Sequence, residues 1–393
     1  MAAAKSPPKK RDWSWRSQAF RGIIYQILTV VVLALAVWWL ASNTLENMRV
    51  RGIQSGFGFL AQPAGFDIGE SIVSFDSASP YWKAFLVGLS NTLRVAVIGI
   101  ILTTILGTLI GIGRLSKNFL VRGVCTVYVE VIRNIPVLIQ LLMWYFVLTT
   151  LLPPVSEAIQ LGPGMYVSKS GMSFPIPEWE AGQGFAAIGL VIGLFLSWYY
   201  RKWARAKFEQ TGIPRPTFWP SVIIVLVCAV IGWVAGGMPT ALEIPEKTDM
   251  NVSGGGAVTP EFLAVAIGLT IYTASFVAEI VRSGIQAVPW GQTEAGSALG
   301  LTRGQQLKLV LLPQAMRVII PPMTNQYLNL TKNSSLAVAI GYPDLVSISN
   351  TTLNQTGRAV ECIAIIMAVY LTLSLTTAAL MNWYNSRSAI KER

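Results

Sequence analysis

Over 393 residues, 53% are hydrophobic and only 12% charged, which leaves too little polar surface for a water-soluble fold of this length. The absence of histidine removes the commonest general base and metal ligand, and Cys125, Cys228 and Cys362 sit in apolar runs rather than at metal-ligand spacing. A net charge of +11 raises nucleic acid as a partner, a question that the placement of the basic residues decides.

Apolar runs of roughly 17 to 25 residues are long enough to cross a hydrocarbon core as helices, and about eight such runs predict an all-α membrane protein. In chain order they lie near Ile23 to Ser42, Ala84 to Gly113, Val121 to Leu152, Phe185 to Tyr200, Phe218 to Met238, Phe262 to Ile285, Val318 to Ile340 and Val360 to Tyr384. The second and third exceed what a bilayer requires, so their ends are expected to project into the interfaces or to tilt. The basic stretch before Ile23 resembles a secretory signal, but the apolar run is too long, contains Trp38-Trp39 and lacks a clear small-x-small cleavage site, which favours an uncleaved anchor. Segments 153–184 and 239–260, which carry Gly and Pro, read as outer connectors.

With both termini placed in the cytoplasm, the inner segments collect most of the 30 lysines and arginines. These are Lys5, Lys9, Lys10, Arg11, Arg16 and Arg21, then Arg114, Lys117 and Arg122, then Arg201, Lys202, Arg205, Lys207 and Arg215. Arg282, Arg303, Lys308 and Arg317 follow, and finally Arg387, Lys391 and Arg393. The outer segments collect acids such as Asp67, Glu70, Asp76, Glu178, Glu180, Glu243, Glu246 and Asp249. The basic excess is then the positive-inside bias of a multi-pass protein, and no nucleic-acid partner is needed to explain it.

Between the sixth and seventh runs lies a polar island, residues 289–313. Pro289 suits the first turn of a helix, Gln292 to Leu299 are acceptable helix formers, and Gly300 is the residue expected where a helix ends left-handed. Thr302 followed by Gln305 is a capping-box pattern, after which Leu307, Val310 and Leu311 recur at helical spacing until Pro313 interrupts. The spacing predicts two short helices joined by a tight turn, on the cytoplasmic side by its flanking charges. A re-entrant or interfacial hairpin is the plainer alternative.

The wording of this island, Glu294-Ala295-Gly296, three residues, Gly300, nine residues, then Val310-x-Leu312-Pro313, resembles the EAA loop (EAA-x3-G-x9-I-x-LP) of ABC importer permeases. It departs where Gly296 replaces alanine and, conservatively, at Val310. Asn91-Thr92-Leu93, Gly113 to Asn118 and Tyr128 to Gln140 are similar to the first core of the polar amino-acid permeases, the histidine/glutamate/glutamine/arginine/opine group. Thr273 to Pro289 and Leu312 to Arg317 are similar to the second. The resemblance covers about residues 84–152 and 262–385; the extra first span and the inserted pair resemble enlarged permeases of broad-specificity or acidic-amino-acid importers.

The resemblance implies a type I ABC importer core in the bacterial inner membrane. Residues 1–83 would form a cytoplasmic start, an extra span and an outer loop; 84–152 the first core part; 153–261 an insertion with two spans; and 262–393 the second core part. Glu294, Ala295, Gly296, Gly300, Leu301 and Pro313 would form the ATPase-coupling loop. Implied partners are an ATP-binding subunit, a second homologous permease, a periplasmic amino-acid-binding protein and membrane lipid. No cofactor is expected on this chain, since it has no Gly-x4-Gly-Lys-Ser/Thr phosphate loop, so ATP would be used by the partner. An ion-coupled secondary transporter is the alternative, with Glu130, Glu279 or Lys332 binding the ion. A membrane-embedded enzyme lacks its usual bases and nucleophile arrangements here.

Polar side chains within spans are costly unless they meet a partner or a wet cavity. Asn325, Asn329, Lys332 and Asn333 fall on an arc of roughly 100° of one helix. They are candidates to line a substrate pathway, or alternatively to hydrogen-bond neighbouring helices or a sister permease. Glu130 with Arg133 and Glu279 with Arg282 are spaced to neutralise each other at i,i+3. Arg94 and Glu361 lie near outer span ends, where Arg94 can snorkel, and Gly107 with Gly111 permits close helix packing.

Overall fold

A computed structural model describes residues 18–388 apart from 51, 53, 54, 179, 214, 239, 249 and 250. Lys5, Lys9, Lys10, Arg11, Arg16, Asp249, Lys391 and Arg393 therefore lie outside the described residues. The described helices are α1 (Gln18–Val50), α2 (Tyr81–Gly113), α3 (Phe119–Asn134), α4 (Val137–Phe146), α5 (Ala181–Thr211), α6 (Phe218–Ala235) and α7 (Pro260–Gln286). They continue with α8 (Trp290–Ala298), α9 (Arg303–Gln306), α10 (Leu312–Asn333), α11 (Leu345–Thr356) and α12 (Ala359–Ser388). Six of the described helices are long and apolar enough to cross a membrane, and seven spans result if α3 and α4 together count as one.

Two of the expected spans take a different form. The run from Val121 to Leu152 is not one continuous helix; it breaks between α3 and α4 with a bend of 104°. Pro136 is the cause: it has no N–H to donate, and it drives Ile135 into an extended conformation (φ −100°, ψ 126°). Buried Gln140 donates to the carbonyls of Ile132 and Ile135, both at 2.9 Å, so the corner keeps these acceptors satisfied without water. The run from Val318 to Ile340 is not one apolar helix either. It belongs to α10, which carries Pro321 and Pro322 internally, and passes at Ser334–Ile340 into a 3-10 segment.

The chain divides into two compact units. The first comprises residues up to Leu93 together with Pro343–Asn382. Its core joins Phe59, Ala64, Tyr81, Ala84 and Phe85 to Leu345, Ile348 and Cys362. A Cβ on Gly88 would lie 2.9 Å from the Cα of Leu345, so the start of α11 rests directly on the α2 backbone. Thr92 Oγ1 accepts from the Leu345 amide at 3.1 Å, and Asn91 Nδ2 donates to the carbonyls of Glu70 and Pro343. Asp344 caps α11 by accepting from the Ser347 amide at 2.8 Å. Glu361, expected near an outer span end, is buried and accepts from the Gly56 amide, while Arg358 donates to the Gly56 carbonyl.

The second unit contains Arg94–Tyr342. Here α2 and α7 are in close contact through Gly107 and Gly111, where added Cβ atoms would fall 2.6 Å from Val277 and 2.7 Å from the Ala278 carbonyl oxygen. The expected packing role of the glycine pair is thereby met. Arg94 lies over the Phe262 ring at 4.2 Å.

The segments expected as plain connectors hold strands. β1 (Ile159–Gly162), β2 (Met165–Ser168), β3 (Gly171–Phe174) and, after α6, β8 (Gly256–Val258) make an antiparallel sheet in the order β1-β2-β3-β8. β4 (Ile176–Pro177) pairs with β5 (Leu242–Glu243), and β6 (Glu246–Lys247) with β7 (Val252–Ser253). The insertion is thus a helix pair, α5 and α6, whose far ends are laced together by short strands.

Candidate coupling hairpin and polar cleft

The polar island folds as its residues dictate. Pro289 stands at the N-cap position of α8, one residue before the first turn in which it was expected, and α8 ends at Ala298, followed by Leu299 and by Gly300 in the left-handed region (φ +71°). The Gly300 amide donates to the Ser297 carbonyl at 3.0 Å, and the Leu301 amide to the Gly296 carbonyl at 3.1 Å, which closes the corner. Thr302 then caps α9 in a complete capping box: its hydroxyl accepts from the Gln305 amide, and Gln305 Oε1 accepts from the Thr302 amide at 2.9 Å.

Gln306 locks the two short helices together. Its side chain is buried against α8, with Nε2 donating to Ser297 Oγ and to the Leu301 carbonyl, both at 3.0 Å. An added Cβ on Gly296 would stand 3.1 Å from Gln306 Cγ. The departure from alanine at this position therefore makes room for the bridging glutamine. A second tie, Gln314 Nε2 to Gln292 Oε1 at 3.1 Å, joins α8 to the start of α10.

Pro313 does not interrupt the second helix as expected. α9 continues through a π segment, Leu307–Leu311, into α10, and Pro313 sits in the first turn of α10. The wider π turn removes the need for an i→i−4 bond from a residue without an N–H, so the column passes the proline intact. Glu294 and Ala295 are exposed, Leu301 and Pro313 half-buried, and Gly296 buried. Trp290 and Leu299 are 74% and 79% exposed, with Leu307 and Leu309 also outward, so the hairpin presents apolar side chains that this chain does not cover.

Behind the hairpin, a charge network fastens the ends of α2, α3 and α7. Glu279 pairs with both Arg282 and Arg114, and Arg114 also lies 3.7 Å from Glu130. The Glu279–Arg282 pairing is as the spacing predicted. Glu130 and Arg133 form no ion pair among the described residues: Glu130 meets Arg114, while Arg133 lies over the Phe276 ring at 5.0 Å. Helical spacing made Arg133 a neighbour, but the fold offers the nearly buried Arg114 on the adjoining α2 end, a link between elements that local periodicity cannot supply.

The polar face of α10 is divided by the structure. Asn329 and Asn333 line a cleft of about 270 Å³ together with Gln326 of α10 and Tyr272, Thr273 and Phe276 of α7. Asn325 and Lys332 are exposed and do not line it. Gln326 was missed by the sequence reading, although its spacing to Asn329 and Asn333, three and seven residues, is itself helical. The adjoining flank of α10 is fixed to α2, with Leu330 against Gly99 and the Tyr327 hydroxyl 2.7 Å from Thr104 Oγ1. Amides and hydroxyls that donate and accept can bind a polar solute here, in a volume just under the roughly 300–1,000 Å³ usual for small-molecule sites.

Residues 189–389 match the family described as binding-protein-dependent transport system inner membrane component. The general L-amino acid transport system permease protein AapQ of Rhizobium johnstonii is 46% identical over 396 residues, covering 100% of this chain and 99% of that protein. The putative amino-acid ABC transporter permease protein YhdX of Escherichia coli is 43% identical, covering 98% of each. The glutamate/glutamine/aspartate/asparagine transport system permease protein BztB of Rhodobacter capsulatus is 40% identical over the whole of both chains. With its apolar spans and exposed hairpin, the chain belongs to the family of inner-membrane components of binding-protein-dependent transport systems.

Proposed function

We propose that the chain is the permease subunit of an ATP-binding-cassette importer that moves polar L-amino acids into the cytoplasm by alternating access. The observation that carries the coupling role is the hairpin itself: a rigid, capped, glutamine-locked corner with Trp290 and Leu299 turned outward. The sequence has no phosphate loop, so a separate ATP-binding subunit gripping this surface is the reading that uses both facts. Glu294, Ala295, Gly296, Gly300, Leu301 and Pro313 form the coupling element in this reading. No cofactor is bound by this chain, and ATP is consumed by the partner. A second homologous permease and a periplasmic amino-acid-binding protein complete the assembly, and the names of the relatives support the choice of solute.

Closure of the ATP-binding partner moves the hairpin, and the column of α9, the π segment and α10 carries the motion to the cleft at Asn329 and Asn333. The test is uptake of labelled amino acids into proteoliposomes holding this chain with its partner subunits. The expected result is uptake that requires ATP on the hairpin side and an intact ATP-binding subunit. Uptake driven by an ion gradient alone, without nucleotide, would overturn the proposal.

A further inference from the structure

The inserted helix pair carries a basic cleft that shares no residue with the hairpin or with the cleft at Asn329 and Asn333. α5 and α6 meet face to face through glycines: a Cβ on Gly193 would fall 2.8 Å from the Cα of Val225, and Gly189, Gly232 and Gly236 are equally confined by backbone. This tight glycine-lined pairing ends near Tyr200, because α6 begins only at Phe218, and α5 runs on beyond the start of α6 to Thr211. Gly212, in the left-handed region (φ +67°), then turns the chain back along the free end of α5. Tyr200 donates to the Pro216 carbonyl at 3.1 Å, and Arg215 lies over the Trp203 ring at 4.9 Å, which hold the returning strand in place.

The overhang and the returning chain enclose a cleft of about 620 Å³ lined by Arg201, Lys202, Arg205 and Arg215, with Trp198 and Phe208 at its sides. Between residues 201 and 215, five basic residues face one acid, Glu209. The cations are oriented by specific contacts. Arg201 Nε donates to the buried Ser221 hydroxyl at 3.0 Å, and Lys202 stands over the Trp198 ring at 5.5 Å.

The identity of a matching ligand follows from what continues along the same helix. Trp198, Arg201, Lys202, Arg205 and Phe208 recur at helical spacing, and the stripe extends toward the middle of α5 as Val191, Leu194 and Phe195, all exposed. One face of α5 is therefore basic at its end and apolar further in, with aromatic rings at the junction. That is the mirror image of an amphiphile bearing an anionic head and hydrocarbon tails. The geometry points to a site for an anionic phospholipid, its phosphodiester held by Arg201, Lys202, Arg205 and Arg215 and its acyl chains lying along Val191, Leu194 and Phe195. The positive-inside placement of this end puts the site in the cytoplasmic leaflet, where such a lipid anchors the insertion at a fixed depth.

The experiment titrates the purified full chain in detergent micelles with dioleoyl-phosphatidylglycerol or dioleoyl-phosphatidylcholine and reads bound lipid by native mass spectrometry. Tighter binding of phosphatidylglycerol is expected, with its affinity falling about 30-fold in Arg205→Gln/Arg215→Gln, roughly fivefold per charge removed. Phosphatidylcholine binding should not change, and Arg303→Gln/Lys308→Gln, which removes the same charge from the hairpin, should leave phosphatidylglycerol binding intact. If the first double variant fails to elute as a single species, Lys202→Gln serves, with a loss of about fivefold expected. Unchanged phosphatidylglycerol affinity, an equal loss in the hairpin variant, or displacement of the lipid by millimolar inorganic phosphate would each overturn the assignment.

Discussion

Replacing Gly300 by proline tests the coupling hairpin where its geometry is least forgiving. The residue sits at φ +71°, whereas a proline ring holds φ near −65°, so the corner between α8 and α9 cannot form as it stands. The exchange also deletes the amide that donates to the Ser297 carbonyl at 3.0 Å, worth about 0.5–1.5 kcal/mol. Alanine separates the two contributions. Nothing lies within 4 Å of a Cβ built on Gly300, so Gly300→Ala keeps the amide and meets no clash. It bears only the left-handed penalty of about 1–2 kcal/mol, enough to reduce the closed corner by roughly 5- to 30-fold relative to open forms. Both variants should insert and assemble, because the corner is exposed. In proteoliposomes with the partner subunits, Gly300→Ala should show reduced uptake per ATP hydrolysed, and Gly300→Pro should show hydrolysis without uptake. Normal uptake by Gly300→Pro would refute the claim that this corner transmits force.

Gly107→Val should lower the thermal unfolding midpoint of the detergent-solubilised chain by an amount corresponding to about 1–3 kcal/mol, because its Cβ would stand 2.6 Å from Val277; an unchanged midpoint would mean that α2 and α7 are not in close contact there. Burial pushes the Asp344 carboxyl up to about 7 from an ordinary 3.8, with Tyr370 also facing it. An acid whose folded value is raised gives a stability contribution that is full below about 4 and lost as the pH rises through about 7. The midpoint should therefore fall between pH 5 and pH 8, and Asp344→Asn, which retains an oxygen to cap α11, should flatten that fall; an equal slope in both proteins would refute the reasoning. Asn329→Leu should alter uptake rate or selectivity while Lys332→Met leaves selectivity unchanged, as measured by competition among unlabelled amino acids, and the reverse pattern would remove the cleft from the pathway.

The hairpin was legible because its determinants are local. Gly300 needs a left-handed turn, Thr302 and Gln305 cap each other, and none of this depends on distant residues. The break at Pro136 was hidden by the unbroken apolar character of 121–152, since hydropathy reports what surrounds a chain and not its direction. Strands of two to four residues such as β4 and β6 lie below any periodicity that alternation can reveal, and β3 finds its partner β8 only after two intervening spans. Helical spacing groups the polar residues of α10 on one arc, but which of them open on a cleft depends on Tyr272, Thr273 and Phe276 of α7. The same holds for Glu130, whose partner Arg114 belongs to another helix.

The π segment at Leu307–Leu311 has a geometric consequence for any motion of the hairpin. It stores one surplus residue between the exposed corner and a helix whose far end carries Asn329 and Asn333. Tightening that turn to ordinary α pitch would screw the helix beyond it by about 100° and advance it by about 1.5 Å. Such a joint turns a short pull into a large rotation, much as a worm gear does, and it would carry Asn329 and Asn333 away from Tyr272 without any helix having to unfold.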